Sequence, residues 1–442
     1  DFLKRQVKVL NLEKHVIFVE KYVELPDLLR LLQASDIYLF TSKDPNQAVS
    51  GTFSYALSCG CPIIATSVAH TRETLNPDLG IIIPIEDHEQ LARATISLIA
   101  DKNRRKQMSR NATVYTLASA WENVAIKHAR LYQEIIQAQP VLEFDLPAIK
   151  LSHLFKMTSR YGILQFSKFS KPDPESGYTL DDNARALIAM IRYYKIFRKE
   201  KVIKYMRIYL NFIERCQKPE GNFVNYIDID NKVHIKNDYV NLEDSNGRAI
   251  WALGECMSAG ALLPKDLTNK AWKIFKNTEA WLAGFMSPRA AAFAIKGLYL
   301  IDKNQKSSEF ILKIDQLASH LITRYDLNRE RSWNWFEENM TYANSILPEA
   351  LLYAYLATGD VAYKKVARES FDFLLSKIFV DGQFRVISNR GWYHKNTQPN
   401  LYGEQPIDVF TTVQSLGLFY QETGRPKYKS FMQKAFNWFF GR

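Results

Sequence analysis

Two stretches of the sequence repeat one phrase, and this repeat constrains the fold more than any other feature. "DDNARA" at 181–186 aligns without a gap with "DSNGRA" at 244–249. Each phrase opens a run of small and apolar residues with helical periodicity. Internal repeats of this kind predict an array of similar supersecondary units that bury a shared core.

Further helices of the same small, apolar character begin near Pro288, Ser345 and Pro406. Each of these helices, like the two at Asp181 and Asp244, is followed by a more amphipathic helical stretch. Helices that are apolar on most faces are typical of an inner layer, and amphipathic helices of an outer layer. These pairs, with one more helix at 149–157, predict an (α/α) toroid of five or six hairpins over residues 148–442.

Residues 1–135 have a different sequence pattern. Short apolar runs alternate there with helical stretches at 25–34, 50–58, 87–98 and 101–117. The runs predicted as strands are "VIFVEKY" at 16–22, "DIYLFTS" at 36–42, "CPIIATS" at 61–67 and "GIIIPIE" at 80–86. Such runs are typical of strands buried on both faces of a parallel sheet. The predicted fold class is therefore two-domain: a partial α/β, Rossmann-like domain at 1–135, a linker at 136–147 and the all-α toroid at 148–442.

Composition and spacing exclude several classes of protein. The formal net charge is +11, but the lysines and arginines are scattered and no nucleic-acid-binding motif is present, so nucleic acid is not an expected partner. No apolar run is long enough to span a membrane, although the basic balance leaves peripheral attachment to an anionic membrane open. The four cysteines and the scattered histidines predict no disulfide framework, metal or cofactor, and a cytoplasmic location is expected.

In a toroid the inner helices run parallel, so the residues at their N-terminal ends meet at one rim. Carboxylates, amides and aromatic rings are concentrated there. They are Tyr178, Asp181, Asp182, Glu243, Asp244, Trp335, Glu337, Glu338, Tyr342, Asn344, Arg390, Trp392, Gln405 and Asp408. Rings that stack on sugar faces and polar groups that pair with hydroxyls are typical of a carbohydrate site, and paired carboxylates suit glycosidic bond chemistry.

Three of these carboxylates are the catalytic candidates, and the other residues are candidates for glycan binding. The catalytic candidates are Asp182, Asp244 and Glu337. Asp181 and Asp244 each precede an arginine by four residues, so ion pairs with Arg185 and Arg248 are expected to organise the helix starts. Asp182 is replaced by serine in the second copy and is the preferred candidate for ligand binding or catalysis. A structural interpretation stays open, because Asp and Asn are common helix N-caps and the rings of "SWNWFEEN" also suit a core.

Four stretches within residues 7–134 carry a family resemblance: "LLQASDIYLFTS", "GTFSYALSCGCPIIATSVAHTRETL", "GIIIPIEDHEQLARATISLIADKNRRKQMSRNA" and "ENVAIKHARLYQEI". They resemble the C-terminal half of the nucleotide-sugar-binding domain of family-4 glycosyltransferases with the GT-B fold. The resemblance implies a retaining hexosyltransferase with a nucleotide-diphosphate sugar as donor substrate. Two family glutamates fall on Gln47 and Tyr55, which is a departure, and a phosphate-facing glycine falls on Ser50. The donor-binding candidates are Gln47, Ser50, Gly51, Thr52 and Tyr55.

The second part of the chain carries a resemblance of its own, in "GYTLDDNARAL", "EDSNGRAIWALG", "SPRAAAFA", "WNWFEENMTYANSILPEAL" and "ISNRGWY…EQPIDV". It resembles the toroid region fused after such a domain in bacterial group 1 glycosyltransferases, and its architecture is similar to that of six-hairpin glycosidases. The family's upstream strands and its acceptor domain have no counterpart here. The chain is therefore expected to be truncated, and its activity alone is left open.

These observations predict a bacterial glycosyltransferase with a carbohydrate-handling toroid, and a nucleotide-sugar and an oligo- or polysaccharide as its partners. Two alternatives stay open. One is a toroid glycoside hydrolase or phosphorylase with a degenerate transferase remnant, and the other is a non-catalytic glycan-binding module. The sequence makes no prediction of the oligomeric state.

Overall fold

The computed structural model describes residues 2–136, 146–168, 170–303, 305–400 and 402–440, with the backbone alone for residues 122, 133 and 283. By its internal contacts the chain divides into two units, Asp1–Pro147 and Ala148–Arg442. We refer to them as the N-terminal unit and the C-terminal unit. Most of the predicted linker, residues 137–145, lies outside the described residues, and the predicted domain boundaries stay a prediction.

The N-terminal unit is built around a small parallel sheet. Its strands are β1 (Tyr38–Phe40), β2 (Ile63–Thr66) and β3 (Gly80–Ile83), paired in the order β1-β2-β3. Its helices are α1 (Phe2–Val9), α2 (Leu25–Ala34), α3 (Gly51–Ser58), α4 (Ala69–Thr74), α5 (His88–Ala100), α6 (Lys102–Leu117) and α7 (Trp121–Ile136). All four residues of the central strand β2 are buried, as its continuous apolar run predicts.

The prediction of a strand at 16–22 is wrong. This segment has no strand structure, and Ile17 is 89% and Tyr22 84% exposed. A strand needs a neighbouring backbone that accepts and donates its hydrogen bonds, and an apolar run does not supply that neighbour by itself. The other three predicted strands form β1, β2 and β3, and the four predicted helical stretches form α2, α3, α5 and α6.

The C-terminal unit is a ring of helix pairs that follows α8 (Ser152–Met157). Within the described residues the inner helices are α9 (Leu180–Phe197), α11 (Glu243–Ser258), α13 (Pro288–Asp302), α15 (Ile346–Thr358) and α17 (Pro406–Thr423). The outer helices that follow them are α10 (Ile203–Cys216), α12 (Lys265–Lys276), α14 (Ser308–Asn328), α16 (Val361–Ile378) and α18 (Pro426–Asn437). Consecutive inner helices contact one another from α9 to α17. The predicted two-domain fold class with an (α/α) toroid is confirmed.

Short antiparallel strand pairs lie in the loops between the helices of the ring. They are β4 (Ser167–Lys168) with β5 (Lys171–Pro172), β6 (Tyr178–Thr179) with β7 (Tyr226–Ile227), β8 (Asn339–Met340) with β11 (Tyr393–His394), and β9 (Phe379–Val380) with β10 (Gln383–Phe384). Two of these pairs, β6–β7 and β8–β11, involve the loops that lead into inner helices. Their backbone hydrogen bonds fix the loops that precede the N-terminal ends of α9 and α15.

The inner and outer helices bury different amounts of their surface, as the sequence predicts. Every residue of α13 from Pro288 to Leu298 is buried. The outer helix α12 instead buries one stripe, with Leu267, Ala271, Ile274 and Phe275 at helical spacing. The apolar core of the C-terminal unit therefore lies between the two layers and around the ring.

Glycines let α11 and α13 approach each other closely. A Cβ on Gly254 would lie 2.3 Å from the carbonyl oxygen of Gly297, and a Cβ on Gly297 would lie 2.6 Å from that of Ile250. Neither backbone can move away without disturbing the inner ring, so a side chain larger than hydrogen does not fit. A Cβ on Gly417 of α17 would meet nothing nearer than the Met432 sulfur at 3.6 Å, which is an ordinary contact.

We expect Gly254→Ala to lower the free energy of unfolding by about 1–3 kcal/mol, because it forces the two helices apart. The matched change Gly417→Ala should have no cost and should stabilise the protein by up to about 1 kcal/mol, since alanine favours a helix over glycine. Urea denaturation followed by tryptophan fluorescence measures both. Equal losses in the two variants would show that the close approach of α11 and α13 is not what requires glycine.

Candidate functional site

The N-terminal ends of four inner helices, α9, α11, α13 and α15, meet at one end of the ring. The guanidinium of Arg248 on α11 donates to the carboxylate of Asp181 on α9. The hydroxyls of Ser287, before α13, and Tyr342, before α15, both donate to Asp244 on α11. These contacts surround a cavity of about 400 Å³, which we call the central cavity. It is lined by Asp181, Asn225, Asp244, Arg248, Ser287 and Tyr342, among others.

Asp181 is held between two guanidinium groups in the wall of the central cavity. Its carboxylate accepts from Arg185 Nη2 at 2.6 Å on its own helix and from Arg248 on the next inner helix. Its backbone N–H donates to Asn225 Oδ1 at 3.1 Å. Burial works to raise the pKa of Asp181, but Arg248 and Arg185 outweigh burial and lower it. Asp181 therefore presents an ionised carboxylate, and the predicted pair with Arg185 is confirmed.

The predicted ion pair between Asp244 and Arg248 is wrong. Arg248 is 4% exposed, and its guanidinium lies 4.6 Å from the Phe293 ring and 5.4 Å from the Tyr342 ring. A buried guanidinium needs a carboxylate at the helix interface, and Asp181 of the preceding repeat supplies it. Among the described residues Arg248 Nη2 has no hydrogen-bond partner.

Asp244 binds hydroxyls instead of a guanidinium. Ser287 Oγ donates to its Oδ1 at 2.5 Å, and Tyr342 Oη donates to its Oδ2. Burial and the Asp244 carboxylate raise the pKa of Tyr342 against the opposing effect of Arg248, so the phenol keeps its proton and remains a donor. Asp244 is thus fixed in place by its neighbours across the ring.

Glu337 is anchored by an arginine that the sequence analysis did not single out. Arg289 Nη1 donates to Glu337 at 2.7 Å, and its Nε donates to the Tyr342 carbonyl oxygen at 2.7 Å. Arg289 thereby ties the loop before α15 to α13. A signal for it was available, because "RA" at 289–290 aligns with "RA" at 185–186 and 248–249 in the repeat.

Asp182, the preferred catalytic candidate, does not lie in the central cavity. Its carboxylate accepts from Thr179 Oγ1 at 2.5 Å and from Arg185 Nη2 at 2.9 Å, while its N–H donates to Thr179. It lines a different cavity of about 590 Å³ between α8 and α9, which we call the α8–α9 cavity. Burial raises the pKa of Asp182, and Arg185 opposes that effect. Of the two adjacent aspartates, the structure brings Asp181 together with Asp244, and not Asp182.

Two aromatic candidates belong to the core, which corrects their interpretation as glycan-binding rings. Trp335 is fully buried, and Tyr178 is 2% exposed with its hydroxyl 2.9 Å from Ser159 Oγ. Burial of this kind leaves no ring face for a sugar. Glu243 has a structural role as well, because its carboxylate accepts the N–H groups of Met286 and Ser287 at the start of α13.

Asp408 is a buried carboxyl in the first turn of α17. It is 3% exposed, and burial raises its pKa to about 7 although the N–H groups of Asn344 and Ala343 work to lower it. Its Oδ2 has no partner within the part of the chain that the structure describes. The other predicted residues are placed outside the lining of the central cavity: Asn344 is buried, Glu338 and Arg390 are exposed, and Trp392 and Gln405 are half-buried.

The donor-binding candidates lie at the N-terminal end of α3, at the carboxyl end of the sheet. Ser50 caps this helix, because its Oγ accepts the Phe53 N–H at 3.4 Å. His70 Nδ1 accepts the Ser50 N–H at 3.1 Å and so holds the cap in place. Gly51 and Thr52 are exposed at the start of the helix, and a Cβ on Gly51 would meet nothing within 4 Å. The first N–H groups of a helix have no acceptor inside it, which makes this end suited to an anion.

The two positions that depart from the family differ in their surroundings. The side-chain amide of Gln47 donates to the Val49 carbonyl oxygen at 3.4 Å within its own loop. Tyr55 is 39% exposed on α3. Neither side chain replaces a carboxylate, since one is an amide and the other a phenol.

The described residues contain no cluster of three or more histidine, cysteine or acidic side chains placed to hold a metal ion. None of the helices in the described ranges combines the length and the apolar character that crossing a bilayer requires.

Comparison with protein families decides what the N-terminal unit is similar to. Residues 1–114 match the family "Glycosyl transferases group 1". The glycosyl transferase match covers the sheet, α3 and most of α6, so the predicted resemblance is confirmed for this part of the chain. No curated protein sequence matches the chain.

Solved structures with a similar fold include cellobiose 2-epimerases. The enzyme from Bacillus thermoamylovorans is 12% identical with a TM-score of 0.52, over 71% of this chain and 87% of that chain. The enzyme from Spirochaeta thermophila is 10% identical with a TM-score of 0.50, over 72% of this chain and 86% of that chain. Identities this low support the toroid fold and nothing about the reaction.

Proposed function

We propose that this chain is part of a retaining glycosyltransferase that uses a nucleotide-sugar donor and whose C-terminal unit binds an oligo- or polysaccharide in the central cavity. The main support for glycan binding by the C-terminal unit is that Asp181, Asp244 and Tyr342, from three different repeats, line one cavity. Its volume lies in the roughly 300–1,000 Å³ range of small-molecule sites. The match of residues 1–114 to the glycosyl transferase family supports the transferase activity. The bacterial origin, cytoplasmic location and absence of a cofactor stay predictions.

The charges in the central cavity favour binding over cleavage of a glycosidic bond. Asp181 is paired with two guanidinium groups, and Asp244 accepts hydrogen bonds from two hydroxyl groups. A general acid must hold a proton at working pH, but Asp181 has a lowered pKa. Fixed acceptors of this kind suit sugar hydroxyls, and a sugar oxygen would also satisfy Arg248 Nη2. The proteins of similar toroid fold include two cellobiose 2-epimerases, and a sugar ligand in this cavity agrees with that.

The donor diphosphate is proposed to bind at the N-terminal end of α3. The N–H groups of Gly51 and Thr52, with the Thr52 hydroxyl, would face the phosphate oxygens. Tyr38 Oη donates to Thr52 Oγ1 at 3.1 Å and so positions that hydroxyl. Titration with UDP and GDP by calorimetry tests this half of the proposal, and titration with manno- and gluco-oligosaccharides tests the other half.

We expect Gly51→Glu to weaken binding of UDP or GDP at least about tenfold, because a carboxylate at the helix start repels the diphosphate. The fold should tolerate the change, since a negative charge at a helix N-terminus stabilises it by about 0.3–1 kcal/mol. The matched control is Ser58→Glu at the exposed C-terminal end of the same helix, which should leave binding unchanged. Equal affinities in both variants, or no binding by the unaltered chain, would contradict the donor site.

A further inference from the structure

A second cavity, of about 520 Å³, lies beside the central cavity. We call it the side cavity. It lies between the loop that follows α10 and the loop that precedes α13. Its lining includes Phe223, Asn241, Glu243, Asn246, Trp281 and Phe285.

Three aromatic rings form the apolar part of the side cavity. Phe223 and Phe285 are 1% and 5% exposed, whereas Trp281 is half-buried and keeps accessible surface. Trp281 stands edge-on to both, with ring centroids 6.2 Å from Phe223 and 5.2 Å from Phe285 and interplanar angles of 81° and 90°. These contacts fix the plane of the indole. A tryptophan held in this way offers a rigid apolar face against which a sugar ring can stack.

The polar part of the side cavity is anionic and neutral, without a cation among the residues that line it. Glu220 and Asn241 are exposed there, while the amide of Asn246 is occupied by the backbone of Phe223. Carboxylate and amide oxygens accept hydrogen bonds from hydroxyl groups. They would repel a uronic acid or a phosphate, so the chemistry suits a neutral sugar.

The side cavity adjoins the central cavity. Asn241 lines both of them, and the adjacent residues Glu243 and Asp244 line one each. Asn241 Oδ1 accepts the Glu243 N–H at 2.7 Å, which holds this boundary rigid. A ligand that occupies the central cavity and extends past Asn241 therefore enters the side cavity.

We propose that the side cavity is a second sugar subsite, so that the C-terminal unit binds a neutral glycan of at least two hexose residues. One residue occupies the central cavity and the next stacks on Trp281. This inference rests on the proposed glycan-binding function and adds to it the length and charge class of the ligand.

The test is to fill the side cavity without removing any of its contacts. Ala280 is exposed and lines the side cavity, so Ala280→Trp should occupy it and leave the core unchanged. The control is Ala261→Trp, at an exposed alanine after the C-terminal end of α11, away from the rim. Calorimetry compares glucose, cellobiose and cellotriose, and mannose, mannobiose and mannotriose, on the full chain and on both variants.

We expect the unaltered chain and Ala261→Trp to bind a trisaccharide at least about tenfold more tightly than its monosaccharide. Ala280→Trp should lose this gain and keep its monosaccharide affinity. If Ala280→Trp keeps the gain, or the unaltered chain binds all lengths equally, the second subsite is overturned while the central cavity stands. If the unaltered chain binds none of the sugars, the glycan-binding function and this inference fail together.

Discussion

We expect Asp181→Asn to weaken oligosaccharide binding by the C-terminal unit at least about 100-fold, and Asp182→Asn to change it less than about threefold. Asp181 holds Arg248 in the wall of the central cavity and offers an ionised oxygen to a ligand. Hydrogen bonds to charged groups contribute about 1.5–3 kcal/mol, and 100-fold corresponds to about 2.8 kcal/mol. Asp182 lines the α8–α9 cavity instead.

The two variants make the same chemical change in adjacent residues of one helix turn, so each controls for the other. Arg185 contacts both carboxylates, and a general effect on this turn would therefore appear in both variants. Calorimetry with cellotriose and mannotriose gives the affinities, and circular dichroism confirms that both variants fold. If Asp182→Asn lost more oligosaccharide affinity than Asp181→Asn, the ligand would bind in the α8–α9 cavity. That result would refute the assignment of the site to the central cavity.

We expect Asp408→Asn to raise the free energy of unfolding by about 2–4 kcal/mol at pH 8 and to have little effect at pH 4. Burial raises the pKa of Asp408 to about 7 in the folded chain, against about 3.9 for an unfolded aspartate. Between these values the folded state keeps a proton that the unfolded state has released, so stability falls as pH rises from about 4 to about 7. Above pH 7 both states are ionised and the loss stays constant.

Urea denaturation of the unaltered chain and of Asp408→Asn at pH 4, 5, 6, 7 and 8 measures this difference directly. Other groups that titrate in the same range contribute equally to both chains and cancel in the comparison. The difference should grow by about 1.4 kcal/mol for each pH unit through the window. A difference that is independent of pH would mean that Asp408 is ionised in the folded chain throughout, and that its burial is compensated.

Much of the ring was predictable because each inner helix carries local start signals. Pro288 and Pro406 lie at the first helical positions, and the aspartates at 181 and 244 lie in the first turns of α9 and α11. Local rules of this kind depend only on nearby residues, so the five predicted starts lie within one residue of those observed. The same holds for α3, whose cap Ser50 is the first residue of the predicted helical stretch at 50–58.

The partners inside the site were less predictable, because spacing along one helix does not show which neighbouring helix a side chain meets. The rule for residues four apart predicts Arg185 with Asp181 correctly and Arg248 with Asp244 incorrectly. The path of a loop is equally hidden, and Trp335 therefore proved to be a core residue. The side cavity was not predictable from the sequence, because its rings, including Trp281, come from two loops that have no common motif.

A crystal structure of the chain soaked with cellotriose and mannotriose would show whether helix starts from separate repeats form one sugar-binding cavity. We expect sugar density in contact with Asp181, Asp244 and Tyr342. Density confined to the α8–α9 cavity or to the outer helices, or an empty central cavity at saturating sugar concentration, would contradict it.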